Sequence, residues 1–130
     1  MRPALLLAVL AAVCVGGCEG SSPNASDAAQ SPFERDLQPK LAQCLGCHGG
    51  STPEGGLDLA DIQALVGVQS AQLDMALIEP GDHLQSYLWH KVAGTHSIAG
   101  GLGRRMPTNE RWSDEDVDLL ARWIDLGAPR

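Results

Sequence analysis

Two cysteines and a histidine stand together at residues 44–48, in the order Cys44-Leu45-Gly46-Cys47-His48. Two thiols separated by two residues, with a histidine directly after the second, form the C-x-x-C-H pattern at which a c-type haem is attached. Each thiol would add to a vinyl group of the porphyrin, and on a helical segment this spacing places both sulfurs along one porphyrin edge. His48 would then lie beneath the iron as its proximal ligand. The pattern predicts a protein that moves electrons.

The same cysteines could instead belong to a zinc site or to a redox-active dithiol. A zinc site of this kind needs two further ligands at knuckle-like spacing, and the chain has no second C-x-x-C pair. Three histidines could contribute, although nothing in the sequence orders them: His83, His90 and His96. A thioredoxin-like dithiol is expected beside a βαβ pattern, and no strand alternation is present. Haem attachment is therefore the preferred interpretation.

A six-coordinate haem iron also needs a distal ligand. The candidates in this chain are Met75, Met106, His83, His90 and His96. Met106 is preferred because it follows a glycine-rich loop and precedes Pro107, which stiffens the chain just before the last predicted helix. A thioether is a soft, neutral donor that favours ferrous iron and raises the potential. His96 lies in the same loop and is the main alternative, and ligation by two histidines would give a markedly lower potential.

Three neighbouring residues could support a haem held in this way. Arg104 and Arg105 could pair with the haem propionates, since a guanidinium binds carboxylates bidentately, or could simply face solvent. A metal-bound histidine usually donates its other ring nitrogen to a carbonyl. The loop length after His48 indicates Pro53 as the residue whose carbonyl accepts that hydrogen bond.

Helical periodicity dominates residues 33–130. Phe33, Leu37 and Leu41 recur every four residues before the motif, with Pro39 as a point where the regular helix could begin. A short helix capped by Asp58 or Asp61 is expected next. Residues 71–78 are ambiguous but helical by composition, and a further helix is expected over 84–92.

The last helix has the clearest sequence signals. Residues 113–116 fit a capping box with three acidic residues in the first turn. Gly127 suits the position just after the helix, and Pro129 prevents its continuation. The pattern as a whole predicts an all-α domain.

The first residues are typical of an export signal. Arg2 is followed by an apolar run over 4–15 that is too short to span a bilayer. Val15-Gly16-Gly17-Cys18 resembles a bacterial lipobox, which implies a signal peptide over 1–17 and acylation of Cys18. Ordinary signal cleavage that leaves Cys18 as a free thiol is the alternative. Residues 18–32 are predicted to be a flexible tether, and 33–130 to be the folded domain.

Charge and cysteine number limit the remaining functions. Removal of residues 1–17 would take away only Arg2, so the net charge would change from −7 to −8. Such a chain is not expected to bind nucleic acid, and it could be steered to a basic redox partner. With Cys14 in the leader, Cys18 acylated and two thiols on haem, no pair is left for a structural disulfide.

The chain resembles the small bacterial single-haem cytochromes c of class I. The resemblance is carried by the C-x-x-C-H motif, by 55–59, 80–82, 86–88 and 106–107, and by the W-I-x-x-G-A ending at 123–128. It implies one covalent haem on Cys44 and Cys47, with His48 as the proximal and Met106 as the distal ligand. It also implies a cytochrome c-like fold of about four helices wrapped around the haem, in which the N- and C-terminal helices cross. The residues expected at that crossing are Leu37, Leu41, Leu120, Trp123 and Ile124.

The function expected from these features is one-electron transfer outside the cytoplasm, in a protein that is not an enzyme and has no small-molecule substrate. The protein would be tethered by lipid in the bacterial periplasm or cell envelope. Glu19 after the lipid cysteine slightly favours the outer membrane. Two alternatives remain: a haem enzyme or a sensor of gases or peroxide whose distal ligand is displaced, and a cytochrome subunit of a larger membrane redox complex.

Overall fold

A computed structural model describes residues 31–130. The predicted signal peptide (1–17), the lipidation site Cys18 and most of the predicted tether (18–32) lie outside the described residues. Within 31–130, no helix is long and apolar enough to cross a bilayer.

Three α-helices form the regular part of the described chain. They are α1 (Gln38–Leu41), α2 (Tyr87–Ala93) and α3 (Asp114–Asp125). A π-helical turn precedes α1, and single 3-10 turns follow at Ala42–Cys44, Glu54–Gly56, Ile62–Leu65 and His83–Gln85. Residues 31–130 contain no strand, only isolated bridges. The architecture is compatible with the expected all-α, cytochrome c-like fold, with three α-helices where about four were expected.

The helical segment before the motif, residues 33–44, changes its hydrogen-bond pattern at Pro39. The π-helical turn covers Phe33–Leu37, and the N–H of Gln38 donates to the carbonyl of Phe33. Because Pro39 has no N–H, it cannot continue the ladder and fits only at the start of a helix. The regular α1 accordingly begins at Gln38, with Pro39 in its first turn.

Residues 71–78 are not helical, so the expectation from composition was wrong here. The N–H of Leu77 donates to the carbonyl of Val68 at 2.6 Å. The carbonyls of Ala76 and Leu77 accept from the N–H groups of Tyr87 and Leu88 at 2.8 and 3.0 Å. These partners are distant in sequence, so residues 76 and 77 are held against the first turn of α2. They thereby satisfy N–H groups that a helix N-terminus leaves free.

The predicted helix over 84–92 is divided at Ser86. Asp82 caps the short 3-10 turn His83–Gln85 through the N–H groups of Leu84 and Gln85. Ser86 is fully buried, and its hydroxyl accepts from the N–H of Glu79 at 2.8 Å and donates to the carbonyl of Asp82 at 2.9 Å. These bonds fix the chain before α2, which then ends at Gly94 in the left-handed conformation.

The two ends of the domain pack against each other. Ser113 caps α3 by accepting from the N–H of Asp116 at 3.2 Å, as the sequence predicted. Phe33 stacks on Trp123 with ring centroids 5.0 Å apart, and Lys40 forms an ion pair with Asp116 at 3.0 Å. All five residues expected at this contact are buried in one cluster: Leu37, Leu41, Leu120, Trp123 and Ile124. Each such side chain contributes roughly 1.5–3 kcal/mol by leaving water.

Candidate functional site

A cavity of about 410 Å³ lies beside the C-x-x-C-H motif. Its wall comes from the segment 33–44, the loops at 54–59 and 68–72, α2, and Met106. Nearly half of the lining residues are leucine, valine or alanine, among them Leu59 and Leu88. Cys44, His48 and Met106 also line it, so residues far apart in sequence meet at one apolar site.

The two cysteines of the motif have different surroundings. Cys44 is half-buried and lines the cavity, whereas Cys47 is exposed and does not line it. Both thiols are free. Burial raises the pKa of the Cys44 thiol, and the neighbouring Cys47 raises it further. The carbonyl of Cys44 accepts from the N–H of His48 at 2.8 Å, so the motif forms a tight turn that brings His48 back to the same wall.

His48 is oriented by one hydrogen bond on its ring. Its Nδ1 lies 3.1 Å from the carbonyl oxygen of Glu54. Because a carbonyl can only accept, Nδ1 carries the proton and Nε2 keeps its lone pair. The sequence-based prediction of Pro53 as the acceptor was wrong by one residue. The carbonyl of Pro53 instead accepts from the N–H of Gly56 at 3.0 Å. The imidazole is therefore prepared to bind a metal through Nε2.

Met106 is held against the end of α2. Its N–H donates to the carbonyl of Lys91 at 2.9 Å. The Lys91 ammonium donates to the carbonyls of Leu102 and Arg104 at 3.0 and 2.7 Å. The Nε of Arg105 donates to the carbonyl of Val92 at 2.6 Å. These bonds fix the chain on both sides of the point where the thioether reaches the cavity.

None of the other four candidates for a distal ligand lines the cavity. His96 is 5% exposed, and its Nε2 donates to the carbonyl of Gly103 at 3.0 Å. His83 binds the carboxylate of Asp125 through Nδ1 at 2.8 Å. His90 contacts the Thr95 hydroxyl at 2.7 Å and the Leu84 carbonyl at 2.9 Å. Met75 is half-buried and lies outside the core cluster.

The alternative of a zinc site finds no support in the described part of the chain. No group of three or more His, Cys, Asp or Glu side chains between residues 31 and 130 could hold a metal ion. None of the three histidines that could have completed a site with the two cysteines lines the cavity wall on which Cys44 lies.

A polar bridge at the cavity rim was not identified from the sequence. The Tyr87 hydroxyl donates to the side-chain oxygen of Gln72 at 2.6 Å, and the same oxygen accepts from the N–H of Leu102 at 3.1 Å. Tyr87 and Gln72 both line the cavity. Gly101 is required here because a Cβ would overlap the Tyr87 ring. No sequence motif marks these residues, which meet only through the fold.

Arg104 and Arg105 do not line the cavity. They line a second pocket of about 400 Å³ together with Arg111 and Pro107. Burial lowers the pKa of the Arg105 guanidinium, and the neighbouring charge of Arg111 lowers it further, while Asp114 acts in the opposite direction. The cation of Arg105 therefore stands beside another cation.

The donors on the cavity wall fit a haem iron. A neutral imidazole nitrogen and a thioether sulfur are the axial pair that cytochromes c use. The lining is apolar over much of its surface, which suits a large planar macrocycle, and Cys44 offers a thiol at the same wall. Residues 68–72 and α2 complete the wall of the cavity that His48 and Met106 both line.

Comparison with known proteins gives one family match. A family model described as Planctomycete cytochrome C matches residues 44–99, a range that begins at the first cysteine of the motif. Searches of curated proteins and of solved structures returned no match. The matched range includes the motif, the loops of the cavity and α2, and indicates a haem-binding electron-transfer protein. The match covers less than half of the chain, and over that range the chain is similar to a cytochrome c-type family.

Proposed function

We propose that this protein is a one-electron carrier with a single c-type haem bound covalently through Cys44 and Cys47. His48 is the proximal ligand and Met106 the distal ligand. The observation that carries the proposal is the meeting of His48 and Met106 on one apolar cavity that the other four candidate ligands do not line. When bound, the haem supplies an iron whose two oxidation states differ by one electron.

The chain's own contribution is to hold both axial donors in place. The Glu54 carbonyl accepts a hydrogen bond from Nδ1 of His48, which leaves Nε2 as the nitrogen that binds the iron. The anchors on Lys91 and Val92 keep the Met106 backbone fixed against α2. Apolar side chains exclude water from the site, which destabilises the more highly charged ferric state relative to the ferrous state and so raises the reduction potential. Retaining both ligands keeps structural change small during electron transfer.

The ferric absorption spectrum tests the distal ligand. A bond between a thioether and ferric iron gives a charge-transfer band, which we expect in the resting protein and expect to disappear in Met106→Ala. Met75→Ala is the matched control, because Met75 does not line the cavity, and it should keep the band. A band that survives in Met106→Ala would overturn the assignment.

The same sample separates a carrier from a haem enzyme or sensor. A carrier with two retained ligands should titrate reversibly with one electron and bind cyanide or carbon monoxide slowly. A resting protein without the band, in which these ligands bind rapidly, would overturn the carrier and favour displacement of the distal ligand. Co-purification with a membrane oxidoreductase would instead identify a subunit of a larger complex.

The location proposed for this carrier rests on the sequence before the domain. A lipid on Cys18 would anchor the chain to a membrane of the cell envelope, with the outer membrane slightly favoured by Glu19. Residues 19–32, rich in small and polar residues, would let the domain reach partners near that surface. The partners are then redox proteins of the periplasm or envelope.

A further inference from the structure

The second pocket gathers positive charge in an acidic protein. Arg104, Arg105 and Arg111 all line it, so it holds three of the nine basic residues of a chain whose net charge is −7. No ion pair between residues 31 and 130 involves any of the three. Like charges that share a concave site repel one another, and an anion at that site would relieve the repulsion.

This pocket adjoins the proposed distal ligand. Arg105 and Pro107 are the two neighbours of Met106 in the chain; they line the arginine pocket, whereas Met106 lines the haem cavity. The Arg105 side chain is fixed by its bond to the carbonyl of Val92. Gly94 leaves room for it, because a Cβ there would lie 2.8 Å from the Arg105 Cδ. The pocket therefore has a defined shape, held by these contacts, beside the proposed haem site.

We infer that the arginine pocket (Arg104, Arg105 and Arg111) is the contact site for an electron-transfer protein that presents a cluster of carboxylates. Guanidinium groups bind carboxylates bidentately and are the preferred residues for such contacts. The inference rests on the proposed function, because it places an incoming partner next to the segment that holds Met106.

The inferred partner charge is opposite to the one expected from net charge. Net charge acts at long range and is screened beyond about 10 Å at ordinary salt. At contact, the charges nearest the partner decide the interaction. Those charges are the three guanidiniums that line the pocket. Among residues 31–130, no acidic side chain lines the pocket, and Asp114 acts on the Arg105 charge from outside it, so the charge of the pocket itself stays positive.

Two small oxidants of opposite charge test the inference on the haem-loaded protein. Ferrous protein would be mixed with ferricyanide, an anion, or with tris(phenanthroline)cobalt(III), a cation, over a range of ionic strength. Each reaction passes one electron from the ferrous iron to the reagent, giving ferrocyanide or the cobalt(II) complex, and moves no proton. Net charge alone predicts that the ferricyanide rate rises with salt. The arginine pocket predicts that it falls, because salt screens a local attraction.

Substitutions locate the effect. The double variant Arg104→Gln/Arg111→Gln should lower the ferricyanide rate at low salt by about tenfold or more and leave the cobalt rate unchanged or higher. Arg122→Gln is the matched control, because Arg122 is exposed on α3 and does not line the pocket. It removes one charge and should leave the ferricyanide rate within about twofold of the wild-type rate.

Three results would overturn the inference. In the first, the ferricyanide rate rises with salt and the double variant behaves like Arg122→Gln. In the second, the double variant shifts the midpoint potential and the spectrum without changing the salt dependence, which would assign the arginines to the haem itself. In the third, the exported protein shows no haem absorbance before mixing, which would overturn the proposed function and this inference with it.

Discussion

Lys91 offers the sharpest test of how the fold holds the distal ligand. Its ammonium donates to the carbonyls of Leu102 and Arg104, and its own carbonyl accepts from the N–H of Met106. Lys91→Leu keeps the backbone bond but removes the ammonium, and it adds no second thioether to the cavity wall that Lys91 lines. We expect the segment 102–106 to detach more easily from α2 and to take the Met106 thioether with it.

The size of the effect follows from the two lost hydrogen bonds. A hydrogen bond to a charged group contributes roughly 1.5–3 kcal/mol. Lys91 is half-buried, and both carbonyls regain some contact with water. The net cost of the change is therefore about 2 kcal/mol rather than the sum of two full bonds. Since 1.4 kcal/mol corresponds to a factor of ten, the population with Met106 detached should rise about 30-fold.

Imidazole binding to the ferric protein measures that population. An external ligand binds only where Met106 has left, so its apparent Kd should fall by the same factor of about 30. The titration is followed by loss of the charge-transfer band. Lys40→Leu is the matched control, because it also removes an ammonium, one that forms an ion pair with Asp116 at 3.0 Å and does not line the cavity. It should change the imidazole Kd by less than about twofold. Equal imidazole affinities in the wild type and Lys91→Leu would show that the Lys91 ammonium does not hold Met106 in place.

Three further predictions concern the core, acid stability and anchoring. Leu120 is fully buried, so Leu120→Ala should lower the free energy of unfolding by about 2–5 kcal/mol. Leu126 is 78% exposed, so Leu126→Ala should lower it by less than about 0.5 kcal/mol. Equal losses for the two variants in denaturant unfolding would contradict the packing. The hydrogen bonds from His83 hold the pKa of Asp125 below its ordinary value, so this carboxylate stabilises the fold above about pH 4, and the stabilisation is lost as pH falls through the folded pKa. Asp125→Asn should therefore weaken the dependence of the unfolding free energy on pH below that value. An unchanged dependence would count against a stabilising interaction between His83 and Asp125. Cys18→Ala should move the protein from the membrane to the soluble fraction of fractionated cells, and continued membrane association would show that the lipobox interpretation is wrong.

Features set by neighbouring residues were predictable from the sequence. The cap at Ser113 and the left-handed turn at Gly127 depend on a few adjacent residues, and both were identified. The change at Pro39 follows from its missing N–H. The two terminal helical segments pack through the periodic apolar residues that the cytochrome c resemblance indicated. Such a periodicity arises because one face of a helix is buried.

Features set by distant contacts were not predictable. Residues 71–78 favour a helix by composition, yet their carbonyls bind the N–H groups of Tyr87 and Leu88. The acceptor for His48 is Glu54 rather than Pro53 because the 54–56 turn uses the Pro53 carbonyl itself. Likewise, no pattern in the sequence brings Arg104 and Arg105 to Arg111. In each case the two interacting residues meet only in the folded chain, and a local sequence pattern carries no information about that contact.

Covalent attachment of the haem is tested most directly by the intact mass of the exported protein after denaturation and extraction of non-covalent haem. We expect a mass increased by one haem, and we expect the double variant Cys44→Ala/Cys47→Ala to lack this increase. A folded, exported protein with the mass of the bare polypeptide and no pyridine haemochrome spectrum would contradict it.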